Sequence, residues 1–126
     1  MWSTRITESI RRAGGSAVRL GSVEELAVAI EAYDLGEEPT LGGAVIDLNA
    51  RRFDAVEAIE QVHRARLPVI AVAQHDDQVT RKRALKAGAS RVFSYDKFFR
   101  EGTRLVDDWL VPGAPAIVDD GHRDRS

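Results

Sequence analysis

The sequence predicts an α/β fold, an open parallel sheet with helices on both faces. Short apolar runs rich in β-branched residues, at 17–20, 44–48, 67–73 and 91–94, alternate with stretches of helical periodicity. The connections between them are short, which favours strand–helix–strand units whose strands run parallel. At 126 residues the chain fits one domain with a single core and is too short for two.

Each element has a local reason. Trp2, Ile6 and Ile10 recur every four residues before "AGG", which predicts an amphipathic helix over about 3–13 with a glycine end. "AVRL" (17–20) is a short strand. Ser22 with Glu25 three residues on forms a capping box that opens a helix through "EELAVAIEAY". Three glycines and a proline make 34–43 a loop leading to a strand at Ala44 to Leu48. Asp54 is placed to cap a helix with Val56, Ile59 and Val62 on one face. "LPVIAVA" (67–73) is apolar at every position, as a strand buried on both faces requires. A helix at 78–87 ends at Gly88, "RVFS" (91–94) is a strand, and a helix near 97–110 carries Phe98, Leu105 and Trp109. Those aromatic residues, with Trp2, are read as packing groups. "VPGAP" then breaks the helix, and "AIVDD" precedes the polar end "GHRDRS".

Composition removes whole classes of function. With 18 basic against 20 acidic side chains and a net charge of −2, no overall field draws the chain to nucleic acid or to an anionic membrane. The absence of cysteine excludes disulfides, thiolate metal sites and a cysteine nucleophile, and suits the cytoplasm. The N-terminus has no signal-peptide core, and no run approaches the roughly 20 apolar residues that cross a bilayer. No glycine-rich phosphate loop follows a strand, which disfavours a flavin or nucleotide site. His75 in "QHDD" has metal-like neighbours, but no second histidine stands at ligand spacing: His63 falls in a helix and His122 in the tail.

The stretch "GGAVIDLNARRFD" (42–54) ends a strand on Asp47 and reaches a second acid, Asp54, seven positions later. Together with "PVIAVAQHDD" and "RALKAGASRVFSYDKFF" it resembles the receiver domain of bacterial response regulators over roughly residues 4–110. The resemblance implies a flavodoxin-like sheet of order 2-1-3-4-5 with its chemistry outside the carboxyl ends of the strands. It places Asp47 at the phosphoacceptor position. It also shows departures. Ala73 stands where receivers carry the hydroxyl residue that bonds the phosphoryl group, and Tyr95 where they carry the pairing lysine. Lys97 lies two residues further on, and Arg51 and Arg52 replace the usual Pro and Gly of the loop after the phosphoacceptor.

The first strand of the family, which sits mid-sheet and ends in the acids that hold Mg²⁺, has no counterpart at the start of this chain. Either more residues precede the given start, or the tail supplies the strand. "PAIVDD" is apolar and then acidic, so a strand at 116–120 would complete the sheet and make the chain a circular permutant, with Asp119 and Asp120 beside Asp47. The organisation expected is thus a receiver-like domain over 1–110 and a C-terminal segment over 111–126. No catalytic or metal-binding residue is assigned, and no cofactor. The function expected is a signalling or protein-interaction module not switched by aspartyl phosphorylation. Its partner would meet the basic cluster Arg81, Lys82, Arg83 and Lys86. The alternative is a working two-component receiver that takes phosphate from a histidine kinase onto Asp47, with Mg²⁺ held by Asp119 and Asp120.

Overall fold

Apolar alternation and helix capping resolve the chain into α1 (Trp2–Arg12), β1 (Ala17–Leu20), α2 (Val23–Asp34), β2 (Ala44–Asp47), α3 (Ala55–Arg64), β3 (Val69–Ala73), α4 (Gln78–Ala87), β4 (Arg91–Ser94), α5 (Tyr95–Trp109) and β5 (Ala116–Asp119). The structure is a computed structural model and describes residues 2–37, 40–49, 54–74, 76–111 and 113–119, the side chains of 2–4 excepted. The sheet is parallel throughout, in the order β1-β5-β2-β3-β4. Among the described residues no helix is long and apolar enough to cross a membrane.

The strand formed by residues 116–119 lies in the middle of this sheet. It pairs with β1 from Ala17↔Ala116 to Leu20↔Asp119 and with β2 at Ala44↔Ile117 and Val45↔Val118. All four of its residues are buried. Successive side chains of a strand point to opposite faces. Ile117 therefore joins Ala44, Ile46, Val69 and Ala71 in the core under α2, α3 and α4. Ala116 and Val118 join Val45, Ile70 and Val72 in the core under α1 and α5.

Returning the chain from α5 to the sheet centre forces a close crossing. The link passes over the entry to β2, where Gly42 N–H donates to Pro115 O at 2.8 Å and Val111 N–H donates to Gly42 O at 3.1 Å. A Cβ at Gly42 would lie 2.6 Å from Ala114 Cβ and 3.0 Å from Val111 Cβ, so only glycine lets the link through. Gly43 adopts φ +142°, and a Cβ there would meet Pro68 O at 2.8 Å.

Helix ends follow the capping rules. Ser22, Asp54 and Asp77 each accept a hydrogen bond at 3.1 Å from the backbone N–H three residues on. Gly88 closes α4. Several details differ from the sequence reading: β2 ends at Asp47 rather than Leu48, and β3 begins at Val69 rather than 67. α5 begins at Tyr95 rather than near 97, because Ser94 Oγ accepts from Lys97 N at 3.1 Å and turns β4 directly into the helix. The buried stripe of α3 is Ala55, Ala58, Ile59 and Val62, and Val56 lies one position off it, partly exposed. Trp109 is only partly buried, with the Arg91 guanidinium 4.7 Å over its ring.

Two outcomes follow from the central strand. A chain ending at Leu110 loses Ile117 and Val118, each worth about 1.5–3 kcal/mol of burial, together with the ladders on both sides of β5. Against a domain stability of roughly 5–15 kcal/mol, that chain is expected to be unfolded or aggregated. A cooperative melt within a degree or two of the full chain would refute this. Gly42→Ala, in turn, is expected to lower unfolding free energy by about 1–3 kcal/mol through overpacking, measured by urea denaturation.

Candidate functional site

All five strands run parallel, so their last residues gather at one edge of the sheet: Asp47 on β2, Asp119 on β5, Ala73 on β3 and Ser94 on β4. Alternation places Asp47 on the same face as Val45, toward α1 and α5, and the first residue of α5 is Tyr95. Both acids are buried, Asp47 to 2% exposure and Asp119 to 1%. Burying carboxylates is unfavourable unless hydrogen bonds replace water, and here the protein supplies them.

The paired register of β5 and β2 stops at Val45↔Val118. Beyond it, the Asp119 carboxylate takes over, both its oxygens accepting from the Asp47 N–H at 3.0 and 3.1 Å. Asp47 Oδ1 accepts from the Asn49 N–H at 3.0 Å and from the Tyr95 hydroxyl. The Tyr95 oxygen also lies 3.0 Å from Asn49 Oδ1. One phenolic proton serves one acceptor well, and the charged carboxylate is the stronger. Burial raises the Tyr95 pKa well above its ordinary value of 10.0, and the hydrogen bond to Asp47 and the charges of Asp47 and Asp119 push in the same direction. The phenol is therefore neutral and donating at any physiological pH.

The residues singled out in the sequence fall into three groups. Asp47, Asp119 and Tyr95 come together. Ala73 stands at the end of β3, fully buried, and offers a methyl group where a hydroxyl would be needed. Lys97 does not join them: it lies on α5 with its Nζ 3.5 Å from Glu101 Oε2. Asp120, Arg51, Arg52, His75 and His122 lie outside the described residues. His63 is exposed on α3. Of the basic cluster, Lys82, Arg83 and Lys86 are exposed, whereas Arg81 is partly buried and donates to Val92 O at 3.2 Å on edge strand β4. Asn49 went unnoticed in the sequence. Its position two residues after an aspartate that ends a strand is the signal for the Asx-type bond it makes.

A Mg²⁺ ion, which the receiver resemblance implies, needs several oxygen donors in near-octahedral array. Among the described residues no group of three His, Cys, Asp or Glu could hold a metal. Asp119 has both oxygens, and Asp47 one, engaged with protein donors. The described donors therefore do not fit such an ion.

Fold and site together define an α/β protein with an all-parallel five-stranded sheet and a buried Asp–Asp–Tyr cluster at its carboxyl edge. No family model, no curated protein and no solved structure matches the chain.

The state of Tyr95 is measurable. In a Tyr33→Phe background, ultraviolet titration is expected to show no tyrosinate from Tyr95 until well above pH 10 while the chain stays folded. Because the folded pKa is raised, the stability linked to this group is fully present below the unfolded value of about 10 and is lost as pH rises beyond it. Tyr95→Phe is expected to cost about 1.5–3 kcal/mol at neutral pH, the range for a hydrogen bond to a charged group, and to flatten the alkaline limb. A normal tyrosinate transition near pH 10 would sink the assignment.

Proposed function

We propose that this chain is a receiver-like module of the flavodoxin-like class, permuted so that its central strand comes last, which binds a protein partner and is not switched by aspartyl phosphorylation. The strand order supports the class. Counting β5 first, β1-β5-β2-β3-β4 becomes 2-1-3-4-5, the flavodoxin-like order.

The observation that carries the loss of phosphotransfer is the Tyr95 hydroxyl on Asp47 Oδ1. An acyl phosphate needs an accessible carboxylate oxygen and cationic groups to neutralise the incoming charge. Asp47 is 2% exposed and its Oδ1 is held by Tyr95 and Asn49. Ala73 adds no donor, and Lys97, two residues after Tyr95, faces Glu101. The rival reading, a working phosphoacceptor with Mg²⁺ on Asp119 and Asp120, requires Tyr95 to leave Asp47 and Asp119 to leave the Asp47 amide.

Acetyl phosphate, or beryllofluoride with Mg²⁺, is expected to leave the protein unlabelled by mass and unchanged in its amide NMR spectrum. Stoichiometric labelling that disappears in Asp47→Asn would establish the rival. The partner surface proposed is the exposed face of α4, with Lys82, Arg83 and Lys86. Binding of a partner there weakens as salt rises. Charge reversal at Lys82 and Lys86 should weaken it several-fold in a titration, and an unchanged affinity would remove α4 from the interface.

A further inference from the structure

Two helices of one layer carry opposite charge without mixture. α2 holds Glu24, Glu25, Glu31 and Asp34 and no basic residue; α4 holds Arg81, Lys82, Arg83 and Lys86 and no acidic one. Both pack on the same core with α3 between them, α2 beside edge strand β1 and α4 beside edge strand β4. The charges thus stand at opposite ends of the layer and cannot neutralise one another within one molecule. Among the described residues, none of Glu24, Glu31, Asp34, Lys82, Arg83 and Lys86 has an ion-pair partner in its own chain.

Each charged face also carries apolar side chains that the core does not use. On α2 and its C-cap Leu35, Glu24, Val28, Glu31 and Leu35 follow one another at spacings of four, three and four, a single stripe on the side away from buried Leu26. Val28 is 68% exposed and Leu35 69%. On α4, Val79, Lys82, Arg83 and Lys86 form the stripe away from buried Ala84, with Val79 71% exposed and Leu85 51% exposed beside Lys82. Val28 and Leu35 among acids, and Val79 and Leu85 among bases, make two surfaces of complementary charge and matching apolar character.

We infer that the chain self-associates head to tail, the acidic α2 face of one copy docking on the basic α4 face of the next. Such a contact is heterologous: it uses two different surfaces, so each copy keeps one of each free and association continues into a ring or an open row. The inference rests on the reading of α4 as a contact face and names its partner as a second copy of this chain. It does not depend on the state of Asp47.

Sedimentation or light scattering over a concentration series tests it. The wild-type mass is expected to rise with concentration at about 20 mM salt and to return to that of a single chain at about 500 mM. Glu24→Lys/Glu31→Lys and Lys82→Glu/Lys86→Glu, all at exposed positions, should each be folded and monomeric, with a small fall in melting temperature because Glu24 stands in the first turn of α2 and Lys86 in the last turn of α4, and an equimolar mixture of the two should associate again. Val28→Asp, which spoils the apolar contact instead, should also be monomeric. A wild type that stays monomeric at all concentrations overturns self-association and leaves α4 available to another partner. Association that persists in the Lys82→Glu/Lys86→Glu variant overturns the α4 half of the contact and with it the head-to-tail geometry. Association that persists in the Glu24→Lys/Glu31→Lys variant overturns the α2 half and with it the head-to-tail geometry.

Discussion

The pairing of β5 between β1 and β2 is the constraint from which the rest of the molecule follows. A parallel sheet with its middle strand missing would leave unpaired backbone groups on two strands, both under helices where water cannot reach them. The chain solves this from its far end. α5 and the segment after it must then return to the sheet centre, the link must cross the entry of β2, and glycine must stand at 42 to admit it. The strand that fills the gap also delivers its last residue, Asp119, to the amide of Asp47. The same pairing that completes the core therefore builds the site.

Two neighbouring buried carboxylates are costly, and they persist only when hydrogen bonds substitute for water. Asp119 finds its donor in an amide at the point where the ladder between β5 and β2 stops, so the side chain continues the pairing that the backbone leaves off. Asp47 finds its donors in Asn49 and in Tyr95 of α5. The cluster ties β5, β2 and the first turn of α5 together at one edge. Groups held this firmly stabilise a particular arrangement of strands and helix.

Much of this was legible in the sequence, and the failures have definite causes. β3 could be read because every residue from Val69 to Ala73 is apolar, which burial on two faces demands. Ser22, Asp54 and Gly88 marked helix ends because their chemistry is local. The start of α5 was misread because Ser94 caps the helix with no acid three residues later, and "RVFSY" continues the look of a strand. The tail could be recognised as a strand from "AIVDD", but what Asp119 bonds could not, since its partner is 72 residues away. Tyr95 and Asp47 are 48 apart, and no periodicity records their contact. Arg81 looked like one more surface cation. Its bond to the Val92 carbonyl exists only because α4 packs beside the last strand of the sheet.

That bond also bears on the edges of the sheet. An open sheet has two edges, and exposed edges invite addition of another strand unless something blunts them. Here β4 and β1 are each four residues long, carry an exposed arginine at Arg91 and Arg19 respectively, and on the β4 side Arg81 already occupies a carbonyl. Short edge strands with a bulky cation on each are poor templates for one another. The flanks of the helical layer are different: α2 and α4 offer whole turns of side chains, with exposed apolar residues among charges that are opposite in sign on the two helices. On helix faces, unlike strand edges, it is side-chain charge that selects a partner and an orientation.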